Sequence, residues 1–482
     1  MVFSSSTFLF CFLPVCLLGY YLLNNKLKNG WLLFMSLLFY AWGGIKFFPI
    51  ICISILLNYV GGYLIDWAQT QGKEALRKNI FFMVIVFNLL LLGYWKYFMF
   101  FANTLEEITG IQFHVPEIVL PIGISFFTFQ GLSYVIDVYR RKVPVQKKLL
   151  NVGLYIALFP QLIAGPIVRY SDINEQIEFR THSTSMFVEG IRRFTIGLAK
   201  KAILANSLAV NADAIFHTPY YNNTPEVAWI GAVSYSLQIY FDFSGYSDMA
   251  IGLGKMFGFH ILDNFNYPYI SKSISEFWRR WHISLGSWLR DYVYIPLGGN
   301  RKGKTHTIIN TLIVFGISGL WHGANWTFIV WGIYYGFLIV LPIIFGKTIQ
   351  NFHQKFSFSN TRLFNFVKIV CTDFLVLIGW VLFKSDSLSA AIGYLKSMFG
   401  LVNLYQPGYT YKWYLTNYNI FILIISFVAM LPLGKKLFDA LKAKISNYVF
   451  EVICDVSTFI LLAVSLMYVV TSTYNPFIYF QF

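Results

Sequence analysis

The sequence predicts an all-α, polytopic membrane protein, and three observations carry that prediction. Hydrophobic residues make up 57% of the 482 residues and charged residues only 12%, whereas a soluble globular chain is about one quarter charged. Apolar runs recur from end to end, and a membrane-spanning helix needs about 20 such residues, so there is room for roughly ten or more. The 37 basic residues outnumber the 22 acidic ones, for a net charge of +15, and they gather in short loops between the apolar runs. In a soluble chain that excess would point to nucleic acid. Its placement here follows the positive-inside rule and points to a lipid bilayer instead.

The apolar runs cover roughly 7–24, 30–45, 47–65, 80–102, 116–138, 152–168, 224–257, 307–320, 324–346, 365–383, 419–433 and 452–471. The N-terminal run lacks a basic flank and a small-residue cleavage site, so it reads as a first span and not a signal peptide. Basic clusters such as Lys73, Arg77 and Lys78, Arg140 to Lys148, Arg301 to Lys304 and Lys435 to Lys444 mark cytoplasmic loops. The acidic pair Glu106 and Glu107 belongs outside. So does the uncharged tail 471–482, which follows a basic loop and one span. Five cysteines, none in a CxxC pair, read as small core residues. With no internal repeat, 1–482 reads as one membrane-embedded domain, its motifs concentrated at about 120–346.

Two stretches are not ordinary spans. Residues 170–222 mix Arg192, Arg193, Lys200 and Lys201 with apolar positions and suggest helices along the membrane surface. Residues 273–290 begin with a capping-box pattern, Ser273 to Glu276. On one continuous helix, Trp278, Trp281, His282, Leu285, Trp288 and Leu289 share a stripe about 120° wide. Arg279, Arg280, Ser287 and Arg290 fall outside it. His282 then faces inward, either as a core histidine satisfied by one hydrogen bond or as a functional group. The tryptophans are packing and interface anchors or a binding cage. The arginines meet lipid phosphates or steer an anionic donor.

Gly319-Leu320-Trp321-His322-Gly323-Ala324-Asn325-Trp326 interrupts two apolar runs. Small residues beside His322 allow a neighbouring backbone or a substrate to approach. A charge at mid-span costs roughly 2.5–3.5 kcal/mol on insertion scales, so an ionisable residue there is a functional candidate. Imidazole can also take a proton from a hydroxyl attacking a thioester. The plain alternative is a histidine that only bonds helix to helix. Asp242 and Asp248 lie inside another apolar run, either as an ion site of a transporter or as partners of Lys255, Arg279, Arg280 or Arg290. Asp137 precedes Arg140 by three residues, a spacing that lets them meet on one helix face. Two prolines in 159–166 predict a broken or re-entrant segment. No spacing suggests a metal site or a bound nucleotide.

Several segments, in order, resemble the membrane-bound O-acyltransferase family, and within it the bacterial alginate and peptidoglycan O-acetyltransferase branch. They are Gly123 to Gln130 with Ser133-Tyr134 and Asp137 to Arg140; Phe159 to Pro166; Tyr240 to Asp248; Phe277 to His282 through Arg290 to Gly299; and Trp321 to Trp326. The resemblance implies a ring of about 10–12 tilted helices around a central tunnel, with re-entrant and amphipathic surface helices. It implies a catalytic His322 with His282 as a second functional histidine. Trp278, Arg279, Arg280, Trp281, Arg290 and Asn325 would surround the donor or substrate, and Gln130, Asp137, Asp242 and Asp248 would be polar groups of the tunnel. It implies no bound cofactor and an acyl thioester as co-substrate, either acetyl-CoA or, as in a relative within the family that transfers D-alanine to teichoic acid, a carrier-protein thioester. An exported polysaccharide is the acceptor, reached through an extracytoplasmic acetyltransferase or esterase-like partner, and the enzyme sits in the bacterial cytoplasmic (inner) membrane. The C-terminal segment 477–482 resembles one whose tyrosine, here Tyr479, carries the acyl group outward; an aromatic interface anchor is the alternative.

Overall fold

The computed structural model describes all residues except 113, 114, 116, 349, 350, 352–360, 405–407, 473 and 476–482. Among the described residues every regular element is helical. A helix satisfies its own backbone in hydrocarbon, and a chain this apolar has no other open-ended way to cross. Among the described residues, five helices are long and apolar enough to do so: Ile45–Thr70, Glu74–Thr109, Trp326–Ile344, Arg362–Lys384 and Asn447–Thr471. A sixth forms if Asn417–Ala429 and Leu433–Lys444, bent by 62°, count as one span. The chain is therefore an all-α, multi-pass membrane protein.

Fewer helices meet both criteria than there are apolar runs, and the remaining runs show why. Some are cut short: Leu13–Leu22 has 10 residues, Lys28–Trp42 has 15, Ile124–Tyr139 has 16 and Leu149–Ala157 has 9. Others are long but polar. Pro225–Met256 runs for 32 residues yet buries Ser236, Gln238, Asp242, Ser244, Ser247 and Asp248.

The chain divides into two compact units, Met1–Thr195 with Tyr246–Leu262 and Ile196–Gly245 with Asp263–Phe482. In the first, Asn58 and Asn88 exchange amide hydrogen bonds at 3.2 and 3.1 Å, so each satisfies the other where water is absent. Phe159 gathers Phe3, Phe8, Phe12 and Phe39 around it. The proline-bearing stretch does break: Leu149–Ala157 stops at Leu158 and the four-residue helix Phe159–Leu162 follows, fully buried. Asp248 pairs with Arg193 at 2.5 Å.

The second unit is built on an aromatic core that includes Phe277, Trp281, Trp331, Tyr335 and Trp380. The helical hairpin Lys304–His322 and Trp326–Ile344 closes through Gly319 and Gly332. A Cβ on Gly332 would stand 3.2 Å from the Gly319 Cα, and one on Gly319 would collide with the Phe328 carbonyl. The surface reading of 170–222 fails over its second half, where Leu204, Ala205, Leu208, Ala212 and Ile215 are core residues. Lys201 is drawn in with them because Asp242 meets its Nζ at 2.6 Å, both side chains 2% exposed. The partners expected for the two aspartates, Lys255 and the arginines of 279–290, are thus replaced by Lys201 and Arg193; Lys255 instead meets Glu189.

Candidate active site

The stretch 273–290 is not one helix. Ile274–Arg280 and Ile283–Leu289 are separate. Ser273 Oγ accepts from the Glu276 amide at 3.2 Å, as the capping pattern predicts. The Glu276 carboxylate, however, accepts from the Lys272 amide at 3.0 Å and from Arg280. The break falls at Trp281 and His282, where His282 has φ 45°, a left-handed conformation costly for a residue with a Cβ.

Asn264 supports that conformation. Its Oδ1 accepts from the Ser284 amide at 3.1 Å and the Ser284 hydroxyl at 2.9 Å, and lies 3.2 Å from His282 Nδ1. A backbone N–H can only donate, so the atom facing Ser284 is the amide oxygen. His282 Nδ1 must then carry the ring proton, and in the neutral ring Nε2 is left with a bare lone pair. Nε2 is buried and has no hydrogen-bond partner among the described residues. The ring stands edge-on to Phe243 at 4.6 Å. Despite the break, Trp281, His282, Leu285, Trp288 and Leu289 are all buried while Arg279 and Arg290 are exposed.

His322 is the last residue of Lys304–His322 and is 6% exposed. Its ring packs nearly perpendicular to Trp321 and Trp331, each at 5.0 Å, and to Phe383 at 5.2 Å. Trp321 also lies 6.0 Å from the His282 ring, so one indole touches both histidines. Two cavities flank this cluster. One, of about 480 Å³, is lined by His282, Trp278, Trp281, Arg279, Arg290 and Ser318 among others. The other, of about 640 Å³, is lined by Gly323, Ala324, Asn325, Phe383, Lys384 and Asp386 among others. His322 borders neither directly. Ser318, one turn before it, opens on the first cavity; Gly323 and Phe383 open on the second.

The other expected site residues divide. Arg279 is exposed at the first cavity. Arg290 lies there too but bonds Asp291 at 2.7 Å, and Arg280 is held by Glu276 and the Asn266 carbonyl. Trp278 and Trp281 join the aromatic core, against Tyr335 at 4.8 Å and Trp380 at 4.8 Å. Trp288 packs on Tyr292 instead, so the three tryptophans do not form one cage. Asn325 caps Trp326–Ile344, accepting from the Thr327 amide at 3.0 Å and donating to the Asp386 carbonyl at 3.1 Å. Asp242 belongs to the same unit but is bound to Lys201. Gln130, Asp137 and Asp248 are buried in the other unit. Tyr479 lies outside the described residues. Asn264, Trp331 and Phe383 were not singled out from the sequence. Asn264 sits 18 residues before His282 in a loop without periodicity, and the two aromatics look like ordinary span residues.

The sequence model of the membrane-bound O-acyltransferase family matches residues 141–374. The chain is 42% identical over 442 residues to the probable alginate O-acetylase AlgI of Pseudomonas aeruginosa, covering 91% of this chain and 82% of that one. The chain belongs to the membrane-bound O-acyltransferase family. This acyltransferase is also 33% identical to the peptidoglycan O-acetyltransferase of Helicobacter pylori, over 100% of its own length and 98% of the relative's. It is 30% identical over 279 residues to the teichoic acid D-alanyltransferase of Bacillus subtilis, covering 55% of this chain and 68% of that one. As an acyltransferase of this family it uses an acyl donor as co-substrate.

Proposed function

We propose that residues 1–482 act as one membrane-embedded enzyme that moves an acetyl group from cytoplasmic acetyl-CoA across the bacterial cytoplasmic membrane. The acetyl group is destined for hydroxyls of an exported or cell-wall polysaccharide of the alginate or peptidoglycan type. The observation that carries this reading is the pair of buried histidines between two cavities of different character. The smaller has arginines at its rim, suited to the phosphates of an anionic thioester. The larger holds Asn325, Lys384 and Asp386, suited to a hydroxylated acceptor. Relatives named for alginate and peptidoglycan acetylation support the acceptor class.

In this mechanism His322 is the general base. It takes the proton of the attacking hydroxyl as that oxygen bonds the thioester carbonyl carbon. The carbon–sulfur bond then breaks, and the proton passes to the departing thiolate, giving an ester and a free thiol. The attacking hydroxyl is that of Tyr479, and an extracytoplasmic acetyltransferase or esterase-like partner carries the acetyl group on to the polymer. His282 keeps its proton on Nδ1, so Nε2 accepts: it orients a donor N–H or O–H and does not itself donate to the carbonyl. Phe383, which touches His322 and lines the larger cavity, turns aside to admit the acceptor. The packed surroundings keep water from the ester.

The test uses purified acyltransferase in lipid vesicles with labelled acetyl-CoA and mass spectrometry of the protein and the polymer. His322→Ala is expected to lower ester formation by about 10²–10⁴-fold while inserting normally; undiminished transfer overturns the assignment. The teichoic acid relative favours one second reading, D-alanyl transfer from a carrier protein. Competition between acetyl-CoA and a D-alanyl thioester separates the two. A transporter built on Asp242 and Asp248 is disfavoured, since each aspartate is already matched with a cation.

A further inference from the structure

Asp213, on the helix Asn206–His217, has no part in the mechanism above, yet it organises a cluster. Lys384 Nζ lies 2.6 Å from Oδ1, with the two side chains 10% and 11% exposed. The hydroxyl of Tyr474, three residues past the end of Asn447–Thr471, donates to Oδ2. Burial and the Asp213 carboxylate raise the Tyr474 pKa, so this phenol stays the donor. The next residue, Asn475, accepts from Asn206 Nδ2 at 3.3 Å. Asn206 and Asp213 are seven positions apart, hence on one face of the helix. Two consecutive residues of the tail are thus fastened to that face at two points. Lys384 also lines the 640 Å³ cavity, as does His217, whose Nδ1 lies 2.6 Å from the Asp213 carbonyl. Tyr474 and Asn475 therefore stand beside the cavity into which Gly323 and Phe383 open.

From Tyr474 to Tyr479 is five residues, a reach of at most roughly 18 Å. We propose that Asp213 is a positioning residue: it latches the C-terminal tail through Tyr474 beside the larger cavity and so sets how the tail's terminal hydroxyl is delivered to His322. This rests on the reading of Tyr479 as the acyl carrier. Holding the chain at Tyr474 limits the volume open to a hydroxyl five residues on, which raises its effective concentration near the base. Lys384 orients the Asp213 carboxylate through Oδ1 without occupying the oxygen that Tyr474 uses.

The test is made on the full chain in membranes carrying Phe477→Cys, with a membrane-impermeant maleimide as probe and the chain without that substitution as background. Tyr474→Phe removes the phenolic donor and leaves the Lys384–Asp213 pair intact, so it disturbs folding least; Asp213→Asn weakens both contacts. Each is expected to speed labelling roughly 10-fold, the weight of one charge-assisted hydrogen bond. Each should also lower acetyl loading of Tyr479 with the KM for acetyl-CoA unchanged. Unaltered labelling, or loading at the unsubstituted level, overturns the latch. Tyr479→Phe, measured alongside, keeps the two ideas apart. Full polymer acetylation in that variant sinks the carrier reading whatever the labelling shows, whereas loss there with unaltered labelling in Tyr474→Phe sinks the latch alone.

Discussion

The tautomer of His282 is set by Asn264, an amide with no ionisable group of its own. Its oxygen collects the Ser284 amide, the Ser284 hydroxyl and His282 Nδ1, and this obliges Nε2 to be the acceptor. Replacing Asn264 by leucine removes that obligation and the support for the left-handed backbone at His282. Asn264→Leu is expected to lower kcat by about 10²-fold with little change in the KM for acetyl-CoA. Asn264→Asp, which keeps an oxygen acceptor, should recover most of the loss; equal damage from both would show that only packing is at stake. The burial of His282 and His322 was legible in the sequence because a polar ring in an apolar run stands out. Asn264 was not, because one asparagine in a loop resembles any other turn residue and its partner is 18 positions away.

At the scale of helices, two contacts hold the second unit together. Gly319 and Gly332 let the two arms of the hairpin meet at backbone distance, and a β-branched side chain there must push them apart. Gly319→Val is expected to displace His322, lowering both the melting temperature and ester formation, whereas Gly316→Ala, which meets open space, should leave the fold unchanged. The Lys201–Asp242 pair is the second contact. Removing one partner leaves a buried charge and costs about 3–5 kcal/mol, while replacing both with apolar groups is often close to neutral. Lys201→Met should therefore destabilise strongly, and Lys201→Met combined with Asp242→Leu should regain stability by thermal unfolding in detergent. If Asp242 were instead an ion-carrying group, the double variant would be stable yet inactive. The hairpin was legible, since its apolar runs and small residues lie side by side in the sequence. The split of 273–290 was not. The apolar stripe is continuous across 281–282, and the asparagine that supports the left-handed turn, Asn264, lies 18 positions away.

Across the molecule, the distribution of basic loops and the two cavities of the second unit make one joint statement about sidedness. Lys304–His322 starts beside Arg301 and Lys302, which the positive-inside rule assigns to the cytoplasm, and at about 1.5 Å per residue its 19 residues rise roughly 28 Å. A helix of that length that starts at the cytoplasmic face is expected to end, at His322 and Gly323, toward the opposite one. Arg362–Lys384 and Asn447–Thr471 reach the same side: Lys384 lines the larger cavity, and Tyr474 shares Asp213 with it. In the sequence, charge alone assigns this orientation. The length of each helix was not legible there, since an apolar run cannot reveal whether a buried carboxamide or an early break will shorten it. The orientation makes a prediction that needs no activity assay. Ser287→Cys, in the wall of the arginine-rimmed cavity, should react with an impermeant thiol reagent in inside-out vesicles. Ala390→Cys, in the wall of the larger one, should react in right-side-out vesicles. Labelling of both from one face would mean that the two cavities open on the same compartment, and a path for acyl transfer across the bilayer through this histidine pair would then be untenable.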